Sequence, residues 1–337
     1  KDRQPELRRV AGIIAECRAL KAVGNGLLAL TQAGLYHIRG QRSRLIAKQQ
    51  GDALFWSRDR PGYAYIGTPN GLFELRRQGN TWGRPRLFKN FQSEVSGITE
   101  DVANNLWFAA PGKGVYMINF QEENPRVNRF DTSQGLPQLK NLSVVRLGGK
   151  LCVATPQGIY QFNSASEQFG LDTRFRIEGS DADTISVRLA AQSPNGRVFL
   201  EEAQPGNRVY TAQPSDAFDD YKLQLTPFAE TSHLGHLQSF YVDDNNTLWA
   251  GLSEGFVRFD ASLWEPKPFR YAALVRAVRA ANDSLLPINT YLPENNRLLT
   301  IPYKIATNLS FECVGLSMQD PGTLQYQYYL EGLDESW

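Results

Sequence analysis

The chain has 337 residues, of which 42% are hydrophobic and 11% aromatic, so it can bury a sizeable core, and a disordered chain is excluded. Its 36 lysines and arginines nearly balance its 35 aspartates and glutamates, which argues against binding to the phosphate backbone of nucleic acid. Its three cysteines form no CxxC pair, so we predict neither a zinc site nor a disulfide framework, and we expect no cofactor.

A hairpin signature recurs six times along residues 1–266. Its clearest copy is NNTLWAGLSEGFVRFD at 245–260, in which a short apolar strand, a glycine turn and a return strand follow one another. Successive turn glycines lie about 37 to 49 residues apart, a spacing typical of propeller blades. The copies share a column of large, mostly apolar residues and a turn glycine, namely Leu28, Tyr65, Trp107, Cys152, Phe199 and Trp249, with Gly34, Gly71, Gly114, Gly158, Gly206 and Gly255.

Each repeat supplies about four short strands, because apolar segments and turn residues flank every hairpin. We therefore predict an all-β fold, with a β-propeller of about six four-stranded blades over 1–266. A sandwich or a barrel is the alternative, but neither requires the same columns in every repeat. Seven blades result if Leu7–Cys17 completes or precedes another blade; alternatively, Pro5–Val10 pairs with the last blade and closes the ring.

The composition changes after the last repeat. The sequence WEPKP at 264–268 is predicted to be a stiff linker. Strand-like runs follow at 271–278, 297–301 and 308–316, and Tyr326, Tyr328 and Leu330 alternate as in a strand with one buried face. We predict a second domain at 267–337.

These two segments resemble known modules in the same order. The hairpins at 65–73, 106–116, 153–160 and 248–256 resemble the two-component regulator propeller repeat, and the residues 308–311 and 326–337 resemble the triple-tyrosine (Y_Y_Y) domain that commonly follows it. The resemblance implies a partial immunoglobulin-like β-sandwich at 267–337. Relatives often carry more repeats, and here the sandwich motif stops midway, at Trp337.

The resemblance also implies a function. Such propellers form the sensor region of bacterial membrane signalling proteins, with a histidine kinase or diguanylate cyclase as the usual output, and some relatives sense oligosaccharides. We therefore expect a periplasmic, non-catalytic part of an inner-membrane protein that binds an extracellular or periplasmic ligand. It would contact the membrane only through segments outside this chain, and it would form a homodimer through the C-terminal domain. The absence of an N-terminal Met is expected for a mature or excised piece.

The hairpin loops are the predicted ligand site, because in propellers such loops surround the mouth of the central channel. They place varied polar side chains on one shared rim, and we predict that these contact the ligand: Gln32, Asn70, Lys113, Gln157 and Glu254.

Catalytic and metal sites are not predicted. His233 and His236 lack further ligands at a metal-binding spacing, and no serine or aspartate is marked as a partner of His37. The degenerate fifth copy carries Glu201 and Glu202 at hairpin positions, which we interpret as an eroded strand end facing water, or else as a polar group aimed at the channel. A propeller lyase or hydrolase and a protein-interaction scaffold are the competing functions.

Overall fold

The computed structural model describes residues 9–121, 125–177, 185–203, 208–214, 220–243, 245–261, 273–280, 284–286, 301–302, 304 and 308–315. The chain divides into two compact units, 1–265 and 266–337. Strands dominate the described residues, which include short 3-10 helices only at Thr132–Gln134 and Pro227–Leu234. No helix in these ranges is long and apolar enough to cross a membrane.

Six sheets follow one another along the first unit, and the first three have four or five strands each. The first sheet contains β1 (Cys17–Val23), β2 (Gly26–Thr31), β3 (Gly34–Arg39) and β4 (Arg42–Ala47). The second contains β5 (Ala53–Trp56), β6 (Tyr63–Thr68), β7 (Gly71–Gln78), β8 (Thr81–Trp82) and β9 (Arg86–Leu87). The third contains β10 (Gly97–Glu100), β11 (Leu106–Ala110), β12 (Gly114–Ile118) and β13 (Val127–Phe130).

The remaining sheets of this unit have four, five and three described strands. The fourth contains β14 (Ser143–Leu147), β15 (Lys150–Thr155), β16 (Gly158–Asn163) and β17 (Gln168–Leu171). The fifth contains β18 (Phe175–Ile177), β19 (Val187–Gln192), β20 (Val198–Glu202), β21 (Val209–Ala212) and β22 (Tyr221–Leu225). The sixth contains β23 (Leu237–Val242), β24 (Thr247–Leu252) and β25 (Gly255–Asp260).

Consecutive sheets pack face to face through their first strands. In the fifth sheet we count β19 as the first strand, because β18 pairs at the opposite edge. β1 packs against β5, β5 against β10, β10 against β14, β14 against β19, and β19 against β23. An apolar cluster fills each of these five junctions. The predicted series of six blades is therefore observed as six sheets, and the core of the unit lies between the sheets rather than within any one of them.

Two edges differ from the simple four-stranded pattern. The fifth sheet gains β18, which pairs in parallel with β22 so that Phe175 lies opposite Tyr221. At the N-terminus, Ala11 pairs in parallel with Arg42 of β4, so the described start of the chain lies on the outer edge of the first sheet. Of the residues 5–10, to which we assigned a ring-closing strand, 5–8 lie outside the described residues, and residues 9 and 10 are not in a strand.

Alternation along the second strand of each sheet produces the two packing faces, because successive side chains in a strand point to opposite sides. In the third sheet Trp107 packs toward the fourth sheet, whereas its neighbour Leu106 packs toward the second. The predicted column packs as expected in five copies, whose members are fully buried: Leu28, Tyr65, Trp107, Cys152 and Phe199.

A carboxylate fixes the turn before two of these strands. Asp101 accepts hydrogen bonds from the backbone N–H of Ala103 (2.8 Å) and Asn105 (2.9 Å) and from Trp107 Nε1 (2.7 Å). Asp243 accepts in the same way from residues 245 and 247 and from the indole of residue 249 at 3.0 Å. Asp243 therefore holds a turn in place, and residue 244 lies outside the described residues.

A threonine closes the loop between the second and third strands in three sheets. Thr68 Oγ1 donates to the carbonyl of Gly71 (2.9 Å) and accepts from the backbone N–H of Asn70 (3.1 Å). The same pair of bonds recurs at Thr31 and Thr155. The turn glycines of these three loops have positive φ, as expected for residues without a Cβ.

The sixth sheet departs from this loop pattern. Its turn carries Leu252 in place of the threonine, and the φ of Gly255 is outside the left-handed region. The predicted glycine turn is present, and the backbone N–H of Glu254 donates to the carbonyl of Leu234, in the preceding 3-10 helix, at 3.1 Å.

Replacing Thr68 by alanine removes the two threonine hydrogen bonds that close the loop of the second sheet, while leaving the strands in place. We expect a loss of about 1 kcal/mol, because the backbone N–H of Asn70 loses its acceptor and a buried carbonyl loses its donor. Chemical denaturation of Thr68→Ala measures the loss. Thr68→Ser, which keeps the hydroxyl, should retain most of the stability, and equal losses in both variants would contradict the capping role.

The second unit is described in three strands. β26 (Ala273–Ala280) pairs antiparallel with β27 (Ser284–Leu286) and with β28 (Ser310–Gly315). The strands predicted near 271–278 and 308–316 are thus observed. The tyrosine-rich motif at 326–337 lies outside the described residues, and the immunoglobulin-like sandwich stays a prediction.

Candidate functional site

One face of the first unit carries two kinds of loop. Because each sheet runs up and down, the loops between second and third strands share a face with the connections from one sheet to the next. All five side chains predicted to bind ligand lie exposed in such loops: Gln32, Asn70, Lys113, Gln157 and Glu254. We call this surface the loop face.

Hydrogen bonds join three of these loops to the segments that lead into their own sheets. Gln32 Nε2 donates to Glu16 Oε2 at 2.7 Å, and Gln157 Nε2 donates to Gln138 Oε1 at 3.1 Å. Lys113 Nζ donates to the hydroxyl of Ser93. Each of these partners lies in the segment that enters the same sheet, so the polar loops are held against the connections before any ligand binds.

The five predicted residues are not equivalent, and they do not form one cluster. Asn70 and Gln157 both follow the capping threonine by two residues, whereas Gln32 follows Thr31 directly and Ala33 takes the equivalent place. No hydrogen bond recorded for the described residues joins two of the five side chains. The loop face therefore offers contacts spread around a rim, which suits an extended ligand better than a single reaction centre.

A second polar site lies on the face of the fourth sheet that is turned toward the fifth. Here a cavity of about 360 Å³ contains a buried ion pair at its edge. Arg174 donates to Asp172 through Nη2 (2.6 Å) and Nε (2.9 Å), and the two side chains are only 9% and 2% exposed. The cavity is lined by Lys150, Gln161, Asn163, Gly170, Leu171, Asp172, Thr173 and Arg174.

The thiol beneath this ion pair is unsuited to nucleophilic chemistry. Burial, followed by the negative charge of Asp172, raises the pKa of Cys152 to about 12. A thiolate is the reactive form of cysteine, so this residue stays protonated near neutral pH. Sequence reasoning missed the cavity because Asp172 and Arg174 lie in a connection, outside every repeated column. Their spacing of two residues was the only signal, and it is common in loops.

Glu201 has a structural role that neither of our interpretations predicted. Its side chain is 1% exposed, and Arg188 Nη2 donates to Glu201 Oε1 at 2.6 Å. Arg188 also donates to the carbonyl of Leu237 in the sixth sheet. Both interpretations, a strand end facing water and a polar group aimed at the channel, are therefore wrong for Glu201. Through Arg188, this residue helps to join the fifth and sixth sheets. Glu202 is half-buried and pairs with Arg208.

The histidines show no arrangement for catalysis or metal binding. His233 and His236 are exposed, and the described residues contain no group of three side chains that could hold a metal ion. His37 is buried and contacts the ring of Trp82 edge-on, with the centroids 5.7 Å apart. Burial, together with the charges of nearby arginines, lowers its pKa below the usual 6.5.

This lowered pKa predicts a loss of stability in mild acid. Folded His37 stays neutral at a pH at which the unfolded chain already binds a proton, so its contribution is complete above pH 6.5 and falls as pH drops through the lowered folded pKa. We expect the free energy of unfolding to decrease between pH 7.5 and pH 5. His37→Phe, which keeps an aromatic ring beside Trp82, should flatten this decrease; an unchanged slope would contradict the assignment.

Comparison with known proteins rests on structure alone. No family model matches the sequence, and no curated protein matches it. Among solved structures, the extracellular domain of the hybrid two-component system BT4673 from B. thetaiotaomicron is similar at 16% identity, with a TM-score of 0.57 over 76% of this chain and 33% of that chain. The β-propeller domain of Swd1 from Myceliophteria thermophila is similar at 11% identity, with a TM-score of 0.51 over 74% and 84% of the two chains.

The first unit is a β-propeller. An ancestral GH74 enzyme shares this fold at 15% identity and a TM-score of 0.50, over 75% of this chain and 37% of that chain. The likeness to sensor propellers predicted from the repeats is confirmed at the level of the fold. The chain spans about a third of the length of the BT4673 domain, and the GH74 likeness shows that this fold also occurs in enzymes.

Proposed function

We propose that this chain is a ligand-sensing region of an extracytoplasmic signalling protein and that it performs no chemistry itself. The observation that carries the proposal is the loop face, where exposed polar side chains are hydrogen-bonded to the sheet-to-sheet connections. The fold shared with the extracellular domain of a two-component system supports the same assignment. The kinase or cyclase output, the periplasmic location and a dimer through 267–337 belong to this proposal.

The ligand class proposed is an oligosaccharide. The amides of Gln32, Asn70 and Gln157 can each donate to and accept from sugar hydroxyls, and Lys113 and Glu254 add one charge of each sign. Spread over separate loops, these groups can contact several sugar units of one chain. A ligand that moves a loop would also move the connection that is hydrogen-bonded to it, as Gln157 is bonded to Gln138. Signalling then requires that the ligand bind two arrangements of these connections with different affinity.

A thermal-shift screen against neutral and acidic oligosaccharides tests the proposal. A ligand present at 100 times its dissociation constant should stabilise the protein by roughly 2.7 kcal/mol. The combined variant Asn70→Ala, Lys113→Met, Gln157→Ala removes three of the proposed ligand contacts and should lose this shift. It should still fold, because all three side chains are exposed and the backbone bonds of their loops are kept.

The matched control is Lys150→Met, Asn163→Ala, which changes the cavity on the fourth sheet and should keep the shift. Loss of the shift in this control alone would place the ligand in the cavity and contradict the loop-face assignment. Chromatography of the glycans after prolonged incubation tests the absence of catalysis. Shortened products that persist with highly purified protein would favour a propeller hydrolase or lyase instead.

A further inference from the structure

Positive charge is concentrated in the first two sheets. Residues 9–90 contain 14 lysines and arginines but only four aspartates and glutamates, a formal net charge of +10. From residue 91 onward the balance reverses, with 19 basic and 29 acidic residues. The segments 1–8 and 262–272, which lie outside the described residues, each have a net charge of +1, so their own charges do not neutralise this excess. An asymmetry of this size favours a negatively charged ligand on the first two sheets.

Three arginines surround His37 where these two sheets meet. Arg44 lies opposite His37 in the pairing of β3 with β4, and Arg39 lies two residues further along β3, on the same face. Arg77 of the second sheet pairs with Trp82, whose ring contacts His37, and its guanidinium carbon lies 5.8 Å from the Trp82 ring centroid. After burial, the charges of Arg39, Arg77 and Arg44 are the causes of the lowered pKa of His37, so all three act on its ring.

The hydrogen bonds of these arginines leave their charge uncompensated. Arg39 Nη2 donates to Asn80 Oδ1 at 2.9 Å, and Arg77 Nε donates to the carbonyl of Gly79 at 2.9 Å. No salt bridge recorded for the described residues involves Arg39, Arg44 or Arg77. Two guanidinium groups are therefore oriented by neutral acceptors and keep further N–H donors for an anion.

Two buried nitrogen atoms beside these arginines have no hydrogen-bond partner among the described residues. They are Nε2 of His37, a side chain only 8% exposed, and Nε1 of Trp82. Buried polar atoms in folded proteins are nearly always hydrogen-bonded. An unpartnered imidazole and an unpartnered indole N–H next to three cations therefore point to an acceptor that a ligand supplies.

The turn between β1 and β2 leaves room beside these groups. A Cβ at Gly26 would lie 3.0 Å from His37 Nε2 and 3.3 Å from Arg39 Cγ, and a Cβ at Gly24 would lie 3.6 Å from Arg77 Nη1. The two glycines thus lie next to the imidazole and to two of the guanidinium groups. Side-chain bulk at either position would occupy the space beside these donors.

We propose that this junction binds a phosphate or sulfate group, on the side of the propeller opposite the loop face. The turns at 24–25, 40–41 and 79–80 place it on that side, because they join first to second and third to fourth strands. A guanidinium group can bind two oxygens of such a group at once, and the indole N–H of Trp82 can donate to a third. His37 donates through Nε2 in the tautomer that carries its hydrogen there. Donors that come from two sheets suit a tetrahedral group better than a planar carboxylate.

Isothermal titration calorimetry of the whole chain with sodium sulfate and with sodium phosphate tests the site. Ionic strength is kept low and matched, because salt screens exposed charges. The double variant Arg39→Met, Arg77→Met should weaken binding of either ion by at least about tenfold, since it removes two charge-assisted donors. Trp82→Phe keeps an aromatic ring but removes the indole donor, and should weaken binding by about fivefold. Because this donor has no partner in the free protein, Trp82→Phe breaks no hydrogen bond there.

The matched control is Arg76→Met, Arg86→Met, which removes the same charge from the opposite face of the second sheet. Arg76 is the strand neighbour of Arg77 and therefore points to the other side, and Arg86 lies opposite Glu74 on that side. This control should bind within about twofold of the unmodified protein, as expected where exposed charges are well screened. Equal weakening in the control would show diffuse attraction to a basic surface and overturn the proposal. Dissociation constants above about 10 mM for both ions would overturn it as well.

Sugars that carry the same groups distinguish a free ion from a larger ligand. A sulfated heparin disaccharide and glucose 6-phosphate are titrated under the same conditions. Affinity equal to that of the inorganic ion supports a site for the free ion, and tighter binding that is lost in Arg39→Met, Arg77→Met supports a site for the group on a larger molecule. Binding of these sugars that survives in that variant but is lost in the loop-face variant Asn70→Ala, Lys113→Met, Gln157→Ala would overturn the proposal and leave the loop-face assignment intact.

Discussion

Replacing Trp107 by alanine is expected to lower the free energy of unfolding by about 3–5 kcal/mol, which is the usual cost of truncating a buried aromatic residue. Trp107 is fully buried, and its ring lies among those of Phe130, Phe162 and Phe169, with centroids 4.7 to 6.2 Å away. The variant also leaves Asp101 without its indole donor. A cavity therefore opens between two sheets, and a turn loses a bond at the same time.

Trp249→Ala is the matched control, because Trp249 holds the same repeat position and donates to Asp243 at 3.0 Å. Its side chain is only half-buried, so less packing is lost, and we expect about 1–2 kcal/mol. Urea denaturation followed by circular dichroism measures both variants. Equal losses would mean that the sixth sheet is covered in solution, in conflict with the exposure of Phe256.

Breaking the buried ion pair between Asp172 and Arg174 is expected to cost about 3–5 kcal/mol in either single variant. Asp172→Asn removes the carboxylate that pairs with a guanidinium only 9% exposed, and Arg174→Met removes the cation beside a carboxylate only 2% exposed. The double variant removes both charges, so it should be closer to the native stability than the sum of the two single losses predicts.

The control for this pair is Arg18→Met. Arg18 forms ion pairs with Glu16 (3.2 Å) and Asp52 (3.3 Å), and all three side chains are well exposed. Exposed pairs of this kind contribute about 0–1 kcal/mol. Denaturation curves of the four variants, taken in the same buffer, give the coupling free energy. Additive losses at 172 and 174 would contradict the buried pairing.

Most of what could be predicted about the fold came from the sequence repeats. A strand position such as that of Trp107 is constrained by two sheets at once, so the same residue type returns at the same place in each copy. The alternation that separates Leu106 from Trp107 could be extracted from sequence for the same reason. The turn role of Asp243 was predictable because Asp and Asn form local bonds to nearby backbone groups.

Features that depend on contacts outside the repeated positions could not be predicted in this way. Glu201 is buried because Arg188 reaches it from a neighbouring strand, and nothing in the local sequence links the two residues. Gln32 lies in the loop face as predicted, but one position away from the place that Asn70 takes in its loop. The lower burial of Trp249 was equally hidden, because this residue occupies the same position of the repeat as the fully buried Trp107.

Hydrogen–deuterium exchange with and without an oligosaccharide found in the thermal screen tests the sensing role most directly. We predict that bound ligand slows exchange in the hairpin loops at 31–34, 68–71, 110–114, 155–158 and 252–255, and in the connections that are hydrogen-bonded to them. Protection of the connection residues Gln138 and Ser93 together with Gln157 and Lys113 would show that the loop face binds the ligand and transmits its binding between sheets. Protection confined to residues 161–174, or unchanged exchange throughout the loops at saturating ligand, would contradict this account.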